Sequence, residues 1–308
     1  YIRMDGEAPA DIGVPASRGQ LVVLDGNMAG DLAGVRLMTY GGRDIELSDD
    51  DIVQAEVTTR DIDRGTYKHF FLKEMNEAPQ SFRKTLRGKI VKTDEVMRAS
   101  LDTSVIPQVV IDKLAARKIV RIRVVGQGTA AIAGQSLAQI LRTLVDRDVQ
   151  VDALPATELS GFQLGLDMSD TLIVAISQSG TTTDTNRTVD LARSRGASVI
   201  AIVNRRGSEL AAKADGVLYT SDGRDVEMSV ASTKAFYSQV AAGVLLACAL
   251  SAAMGTASDE ERHQLLAALR AIPDALTKVL TLRPQIADAA HQFAPARRYW
   301  TVVGNGFN

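Results

Sequence analysis

From about residue 108 onward, short apolar runs alternate with longer stretches whose apolar positions recur every three or four residues. That is the pattern of strands alternating with amphipathic helices. Residues 122–125 read as a strand, and apolar positions at 130, 133, 137, 141 and 144 share one face of the helix that follows. A second strand over 149–153, a short helix over 156–162, a third strand over 171–176 and a helix closing near Gly196 come next. A fourth strand at 199–203, another short helix, a fifth strand at 216–219 and a long apolar helix over 231–254 complete the series. Near-continuous apolar strands joined by helical crossovers imply a parallel sheet covered on both faces. Right-handed crossovers make it a doubly wound, five-stranded α/β fold, whose ligands sit at the carboxyl ends of the strands.

The flanking segments follow other patterns. Residues 1–63 mix short β-like runs (21–24 and 35–38) with turn signals at Asp25-Gly26 and Gly41-Gly42, and read as strands and turns at the edge of another domain. Between Gly65 and Pro79 the pattern turns helical, with Tyr67, Phe71 and Met75 at i, i+4 and i+8. Pro79 ends that helix or opens the next, which carries Phe82 and Leu86. Residues 64–107 are thus expected to be a helical connector before the α/β domain of 108–295. Near the end, Trp300-Thr301-Val302-Val303-Gly304-Asn305-Gly306 echoes Arg123-Val124-Val125-Gly126-Gln127-Gly128. Two readings stand: a common strand exit occurring twice, or the first strand of a second copy of the domain over 296–308. Both termini read as cut from something longer, since the chain opens Tyr1-Ile2-Arg3-Met4 and stops just after this echo.

The densest candidate chemistry follows the third strand. Val174-Ala175-Ile176 empties into Ser177-Gln178-Ser179-Gly180-Thr181-Thr182, and a helix starts at once. Free backbone N–H groups, the positive end of a helix dipole and several neutral hydroxyls then surround one point, which suits a phosphate. With no strong base among them, these residues grip a ligand and do not react with it. A single N-cap explains one hydroxyl, not Ser177, Ser179, Thr181, Thr182 and Thr183 together. The rival is Gly126-Gln127-Gly128-Thr129-Ala130-Ala131, which fits the G-x-G-x-x-G/A dinucleotide template, with Asp152 ending the second strand as a ribose-binding acid. Any tight strand-to-helix turn also favours glycine there. Downstream, Glu227-Met228-Ser229-Val230-Ala231-Ser232-Thr233-Lys234 precedes the long helix; Ser229 or Ser232 caps it, or the turn faces the Ser/Thr cluster across the crevice. Lys234 on that helix is read as solvated or paired with a carboxylate, not as a Schiff-base lysine. His69 beside Lys68 and Lys73 is read as a surface histidine.

Composition removes several classes. A formal net charge of −2 and a pI near 6.0 give no basic footprint, so no nucleic-acid partner is expected. Cys248, the one cysteine, sits in an Ala/Val/Leu stretch; it allows no internal disulfide and fits a reducing compartment. The three histidines (His69, His263, His291) are scattered, and no Cys/His spacing resembles a metal site. The longest apolar stretch, 240–254, is too short for a membrane span and reads as a buried helix.

Taken together, these motifs resemble the glutamine–fructose-6-phosphate aminotransferase family, the isomerising glucosamine-6-phosphate synthases built on tandem SIS (sugar isomerase) domains. Tyr67-Lys68-His69-Phe70-Phe71-Leu72-Lys73-Glu74-Met75 with Pro79 and Thr85-Leu86-Arg87-Gly88 is similar to the family connector. Ser177-Gln178-Ser179-Gly180-Thr181-Thr182 resembles its phosphate loop, and Val230-Ala231-Ser232-Thr233-Lys234-Ala235-Phe236 its Val-Ala-Ser-Thr-Lys-Ala-Phe turn. The resemblance implies that Ser177, Gln178, Ser179 and Thr182 hold a sugar phosphate, with Thr129, Val230 and Ser232 near the sugar. It implies that residues 1–63 close a glutaminase domain whose N-terminal Cys nucleophile is absent here. It also places the Glu, Lys and His of the sugar chemistry in a second SIS domain beyond Asn308, so no catalytic residue is named on this chain. A cytoplasmic homodimer using glutamine and fructose 6-phosphate, with no cofactor and no membrane, is the expectation; a phosphosugar-sensing SIS module and a phosphosugar isomerase or deglycase are the alternatives. Two departures stand out. The family's Cys-Gly-Thr-Ser is Gln127-Gly128-Thr129-Ala130 here, and Thr181 stands where the family usually has Glu.

Overall fold

The computed structural model describes residues 20–39, 41–47, 62–229 and 231–301. The chain divides into two compact units, residues 1–58 and 59–308. In the first, β1 (Gln20–Leu24), β2 (Val35–Thr39) and β3 (Asp44–Ile45) form a small antiparallel sheet in that order. Arg36 and Asp44 face each other across β2 and β3 in an exposed ion pair of 2.8 Å. The short β-like runs of this region are therefore strands of a separate sheet.

The second unit opens with α1 (Phe70–Leu86), then β4 (Ile90–Thr93), β5 (Val96–Ala99) and α2 (Gln108–Ala115). Three expectations need correction here. Pro79 neither ends nor opens a helix: it lies inside α1. A proline in a helix interior costs roughly 3 kcal/mol, which the burial of Ala78, Pro79, Phe82 and Leu86 where α1 packs on α7 and α8 offsets. The buried face also differs from the apolar stripe, since Phe71 and Met75 are 44% and 40% exposed whereas Glu74 is 1% exposed. The connector is not wholly helical either, for β4 and β5 pair as an antiparallel hairpin over 90–99.

The α/β elements then run β6 (Arg121–Gly126), α3 (Thr129–Leu144), β7 (Gln150–Pro155), α4 (Ala156–Glu158, extended by a wider turn to Gln163), β8 (Thr171–Ser177), α5 (Thr183–Arg193), β9 (Ser198–Val203), α6 (Glu209–Lys213), β10 (Gly216–Tyr219) and α7 (Lys234–Met254). Helices α8 (Asp259–Thr281) and α9 (Arg283–Phe293) follow. The five strands β6 to β10 are parallel, in the order β10-β9-β8-β6-β7.

Alternate strand residues feed two separate cores. Ile122, Val124, Leu172, Val174, Ile176, Ile200 and Ile202 pack with Leu137 and Leu141 of α3 and Leu245 of α7. Val125, Ile173, Ala175, Val199 and Ala201 pack with Val189 and Ala192 of α5 and Leu210 of α6. A sheet buried on both sides reads as unbroken apolar strands, because period-two alternation serves two cores instead of one core and water. The predicted stripe of α3 is buried at all five positions, 130, 133, 137, 141 and 144. Helix α7 is long and apolar enough to cross a membrane by length and composition, yet 72% of its most apolar window is buried inside the protein. It is a core helix.

Candidate functional site

Strand order alone locates a crevice. β6 lies between β7 and β8, so the chain leaves β6 toward one edge of the sheet and returns on its other side. Helix α3 packs on one face and α5 on the other, and the two loops that start these helices part at this switch point. The loops are Gly126–Thr129 and Ser177–Thr182.

Glycines let both loops turn. At Gly126 a Cβ would stand 2.9 Å from the Ala130 carbonyl carbon, so the glycine permits the close strand-to-helix approach. Gly180 has φ +67°, and a Cβ there would stand 2.1 Å from the Ser208 hydroxyl. Its N–H donates to the Ser177 hydroxyl (3.0 Å), and its carbonyl accepts from the Leu210 N–H (3.0 Å) and the Asn186 side-chain amide (3.1 Å). The Gly180 peptide is thus held on both sides.

The hydroxyls divide their labour. Ser177, 3% exposed, accepts from the Gly180 N–H and lies 3.1 Å from the Thr182 hydroxyl. Ser179 Oγ accepts both the Thr181 N–H (3.2 Å) and the Thr181 hydroxyl (3.0 Å). A serine oxygen has two acceptor positions and one proton, so these two bonds leave the Ser179 proton available to donate. Thr182 occupies the N-cap of α5 but makes no side-chain capping bond. Simple helix capping therefore does not account for this cluster.

A cavity of about 220 Å³ opens beside these groups, lined by Gln127, Thr129, Ala130, Ile176, Ser177, Gln178, Ser179, Thr182, Glu227, Ser229, Ser232 and Gln239. Six of the seven predicted site residues meet there: Thr129, Ser177, Gln178, Ser179, Thr182 and Ser232. The seventh, Val230, lies outside the described residues. The turn before α7 does face the Ser/Thr loop, and carboxylates hold it. Glu227 accepts from the Ser232 hydroxyl (3.0 Å) and from the Thr233 and Ala235 N–H groups (2.7 and 3.2 Å), capping α7. Glu74, reaching over from α1, accepts the Met228 and Ser229 N–H groups at 2.5 and 3.2 Å and also the Ser229 hydroxyl. So Glu227 caps the helix, while Ser229 and Ser232 serve the carboxylates. Glu227 sits in the quoted motif before α7, yet its role follows only from the fold. Gln239 carried one faint signal, a lone amide in a mostly apolar helix.

The dinucleotide reading fares worse. β7 continues to Pro155, so Asp152 lies within the strand and not at its end. Its carboxylate pairs with Arg123 on the neighbouring strand and lies 3.8 Å from Arg142. An acid engaged this way is not presented to a ribose. Lys234 turns away from the hydroxyl cavity: its ammonium is 2.6 Å from Glu77 and the residue is 5% exposed. It joins Lys73, Lys84, Asp225 and Arg224 around a separate charged pocket of about 140 Å³. There, burial works to raise the Asp225 carboxyl, but the Ser81 hydroxyl and the Lys234 and Lys84 ammoniums hold it below its ordinary value. Among the described residues no group of three or more His, Cys, Asp or Glu is placed to hold a metal ion.

Comparison with known proteins agrees with this fold. Residues 113–249 match the SIS domain family. The glutamine–fructose-6-phosphate aminotransferase [isomerizing] of Symbiobacterium thermophilum is 34% identical over 277 residues, covering 89% of this chain and 43% of the relative. That of Mycobacterium tuberculosis is 37% identical over 232 residues, covering 75% of this chain and 35% of the relative. The chain thus spans less than half the length of these relatives. Among solved structures, the C-terminal domain of glucosamine-fructose-6-phosphate aminotransferase from Francisella tularensis aligns with a TM-score of 0.64 at 25% identity, covering 75% of this chain and 61% of that one. Residues 113–249 thus form a SIS domain, and the chain is similar across most of its length to part of the isomerising glutamine–fructose-6-phosphate aminotransferases.

Proposed function

We propose that this chain is the phosphosugar-binding centre of an isomerising aminotransferase that converts fructose 6-phosphate and glutamine to glucosamine 6-phosphate and glutamate. The observation that carries the reading is the neutral-donor cavity at the switch point, lined by the Ser179 and Thr182 side chains beside the start of α5. Helix N-termini favour anions through unpaired N–H groups and the helix dipole. Bound there, the phosphate leaves its sugar chain to run toward Thr129 and Ser232. Ser177 acts one step back, by holding the loop. In the whole reaction, ammonia released from glutamine adds to the ketose carbonyl, water leaves, and a proton shift between neighbouring carbons yields the aminoaldose. None of the groups for that chemistry is assigned among these 308 residues.

On this reading, residues 1–63 close a glutaminase domain, 64–107 connect it, 108–295 form the first SIS domain and 296–308 begin a second. The assembled enzyme is a cytoplasmic homodimer, a setting that suits the single buried thiol, Cys248. Titrating the 308-residue chain with fructose 6-phosphate and with NAD, alongside Ser179→Ala, tests the proposal. Sugar-phosphate binding weakened about tenfold by the substitution is expected, the loss of roughly one hydrogen bond to a charged group. Binding of NAD alone, or equal affinity of the two proteins for fructose 6-phosphate, would overturn it.

A further inference from the structure

One polar atom in the cavity wall has no partner among the described residues. Gln239, in the second turn of α7, is 2% exposed, and its Oε1 makes no hydrogen bond although the side chain lines the cavity. The other three buried side-chain atoms without a partner among the described residues belong to Thr185, Asn186 and Asn204, none of which lines it. Ser238, the next residue back, is fully engaged elsewhere, 2.9 Å from the Ser81 hydroxyl in a buried cluster between α1 and α7. A buried acceptor left unanswered is costly, so a ligand that brings a donor to it gains affinity over one that does not.

The cavity is also polarised. Donors line the α5 side, where Ser179 has its two acceptor positions filled and only a proton to offer. The α7 side brings the Gln239 side chain, whose carbonyl has no partner among the described residues, together with the Glu227 carboxylate. A phosphate satisfies the first set and repels the second; a hydroxyl donor satisfies the second. We infer that Gln239 is a specificity-determining residue that accepts a hydrogen bond from a hydroxyl of the ligand's carbon chain, restricting the cavity to phosphate esters of polyhydroxylated chains. This rests on the phosphosugar reading and adds to it the group that separates a sugar phosphate from a bare phosphate.

The test is calorimetric titration of the 308-residue chain and its Gln239→Leu and Gln239→Met variants with fructose 6-phosphate and, separately, inorganic phosphate. Leucine and methionine keep most of the volume and remove the acceptor, so the thermal midpoint without ligand should hold or rise. Fructose 6-phosphate should bind about tenfold more weakly to both variants, while inorganic phosphate changes less than about twofold. Unchanged sugar-phosphate affinity in a variant that keeps its thermal midpoint would overturn the inference and leave the phosphosugar reading standing. Equal weakening of both ligands would also overturn it, since the substitution would then act by disturbing the pocket. Wild-type protein that binds neither ligand would sink the underlying reading, and the role of Gln239 with it.

Discussion

Replacing Gly180 with alanine is the sharpest probe of the loop. Two costs add. The residue has φ +67°, where a Cβ raises the backbone energy by roughly 1–2 kcal/mol. The new Cβ would also stand 2.1 Å from Ser208 Oγ, 2.5 Å from Ser208 Cβ and 2.9 Å from Val203 Cγ2. Ser208 is 5% exposed and Val203 fully buried, so neither can swing into solvent. Ser208 also caps α6 through the Ala211 N–H at 3.4 Å, and pushing it aside loosens that cap. Overpacking of this kind costs about 1–3 kcal/mol, so Gly180→Ala should destabilise the fold by roughly 2–5 kcal/mol. Gly207→Ala is the control: its φ is +62°, but a Cβ there meets nothing within 4 Å. Only the backbone cost, about 1–2 kcal/mol, should remain. Urea denaturation of both variants measures the difference, and phosphate titration of the folded Gly180→Ala protein reads its effect on the cavity. If the two alanines cost the same and Gly180→Ala binds normally, the tight fit of this loop has been misread.

Three further outcomes follow from the same contacts. Glu74→Ala removes the buried acceptor of the Met228 and Ser229 N–H groups and should lower stability by about 2–4 kcal/mol in urea denaturation; a loss below 0.5 kcal/mol, on the order of a surface substitution, would mean that water replaces the carboxylate. Glu227→Ala uncaps α7 and frees Ser232, and should cost about 1–2 kcal/mol while weakening fructose 6-phosphate in titration; undiminished affinity would remove the turn from the site. Burial pushes the Cys248 thiol up from 9.0 to about 11, so an aromatic disulfide reagent at pH 8 should label it only on unfolding. The unfolded thiol loses its proton first, so this group's contribution to stability is full below pH 9 and falls as pH rises toward 11, which denaturation at pH 8 and pH 10 would show.

Much of the α/β domain was legible because its strands are buried on both faces. A segment such as Thr171–Ser177, buried at every position, admits few readings when helices with clean stripes flank it. The hairpin over 90–99 was not legible, for equally physical reasons. None of its residues is fully buried, so no alternation marks its strands. Its turn places Asp94 and Glu95 at φ +49° and +66°, with no glycine or asparagine to announce it. In α1 the local stripe was real but misleading. Tertiary contacts bury the Glu74 face, because two backbone N–H groups from a segment some 150 residues downstream need that carboxylate.

Three positions where this chain departs from the motifs it resembles bear on the cavity. Gln127 replaces the family's cysteine, and its side-chain amide donates to Asp184 at 3.1 Å, tying the β6 loop to the first turn of α5 across the switch point. Cysteine is too short to make that tie. Thr181 replaces the usual Glu, and its hydroxyl donates to Ser179, a bond that an ionised carboxylate, having no proton, cannot give. That bond fills the second acceptor position of Ser179 and leaves its proton for the cavity. Both changes therefore act within the loops, arranging donors that remain present. Ala130 is different, because it lines the cavity itself and offers no hydroxyl. Of the three, it is the one expected to alter phosphate affinity directly, by about 1 kcal/mol, and Ala130→Ser should recover that amount in titration only if the phosphate rests between the two loops.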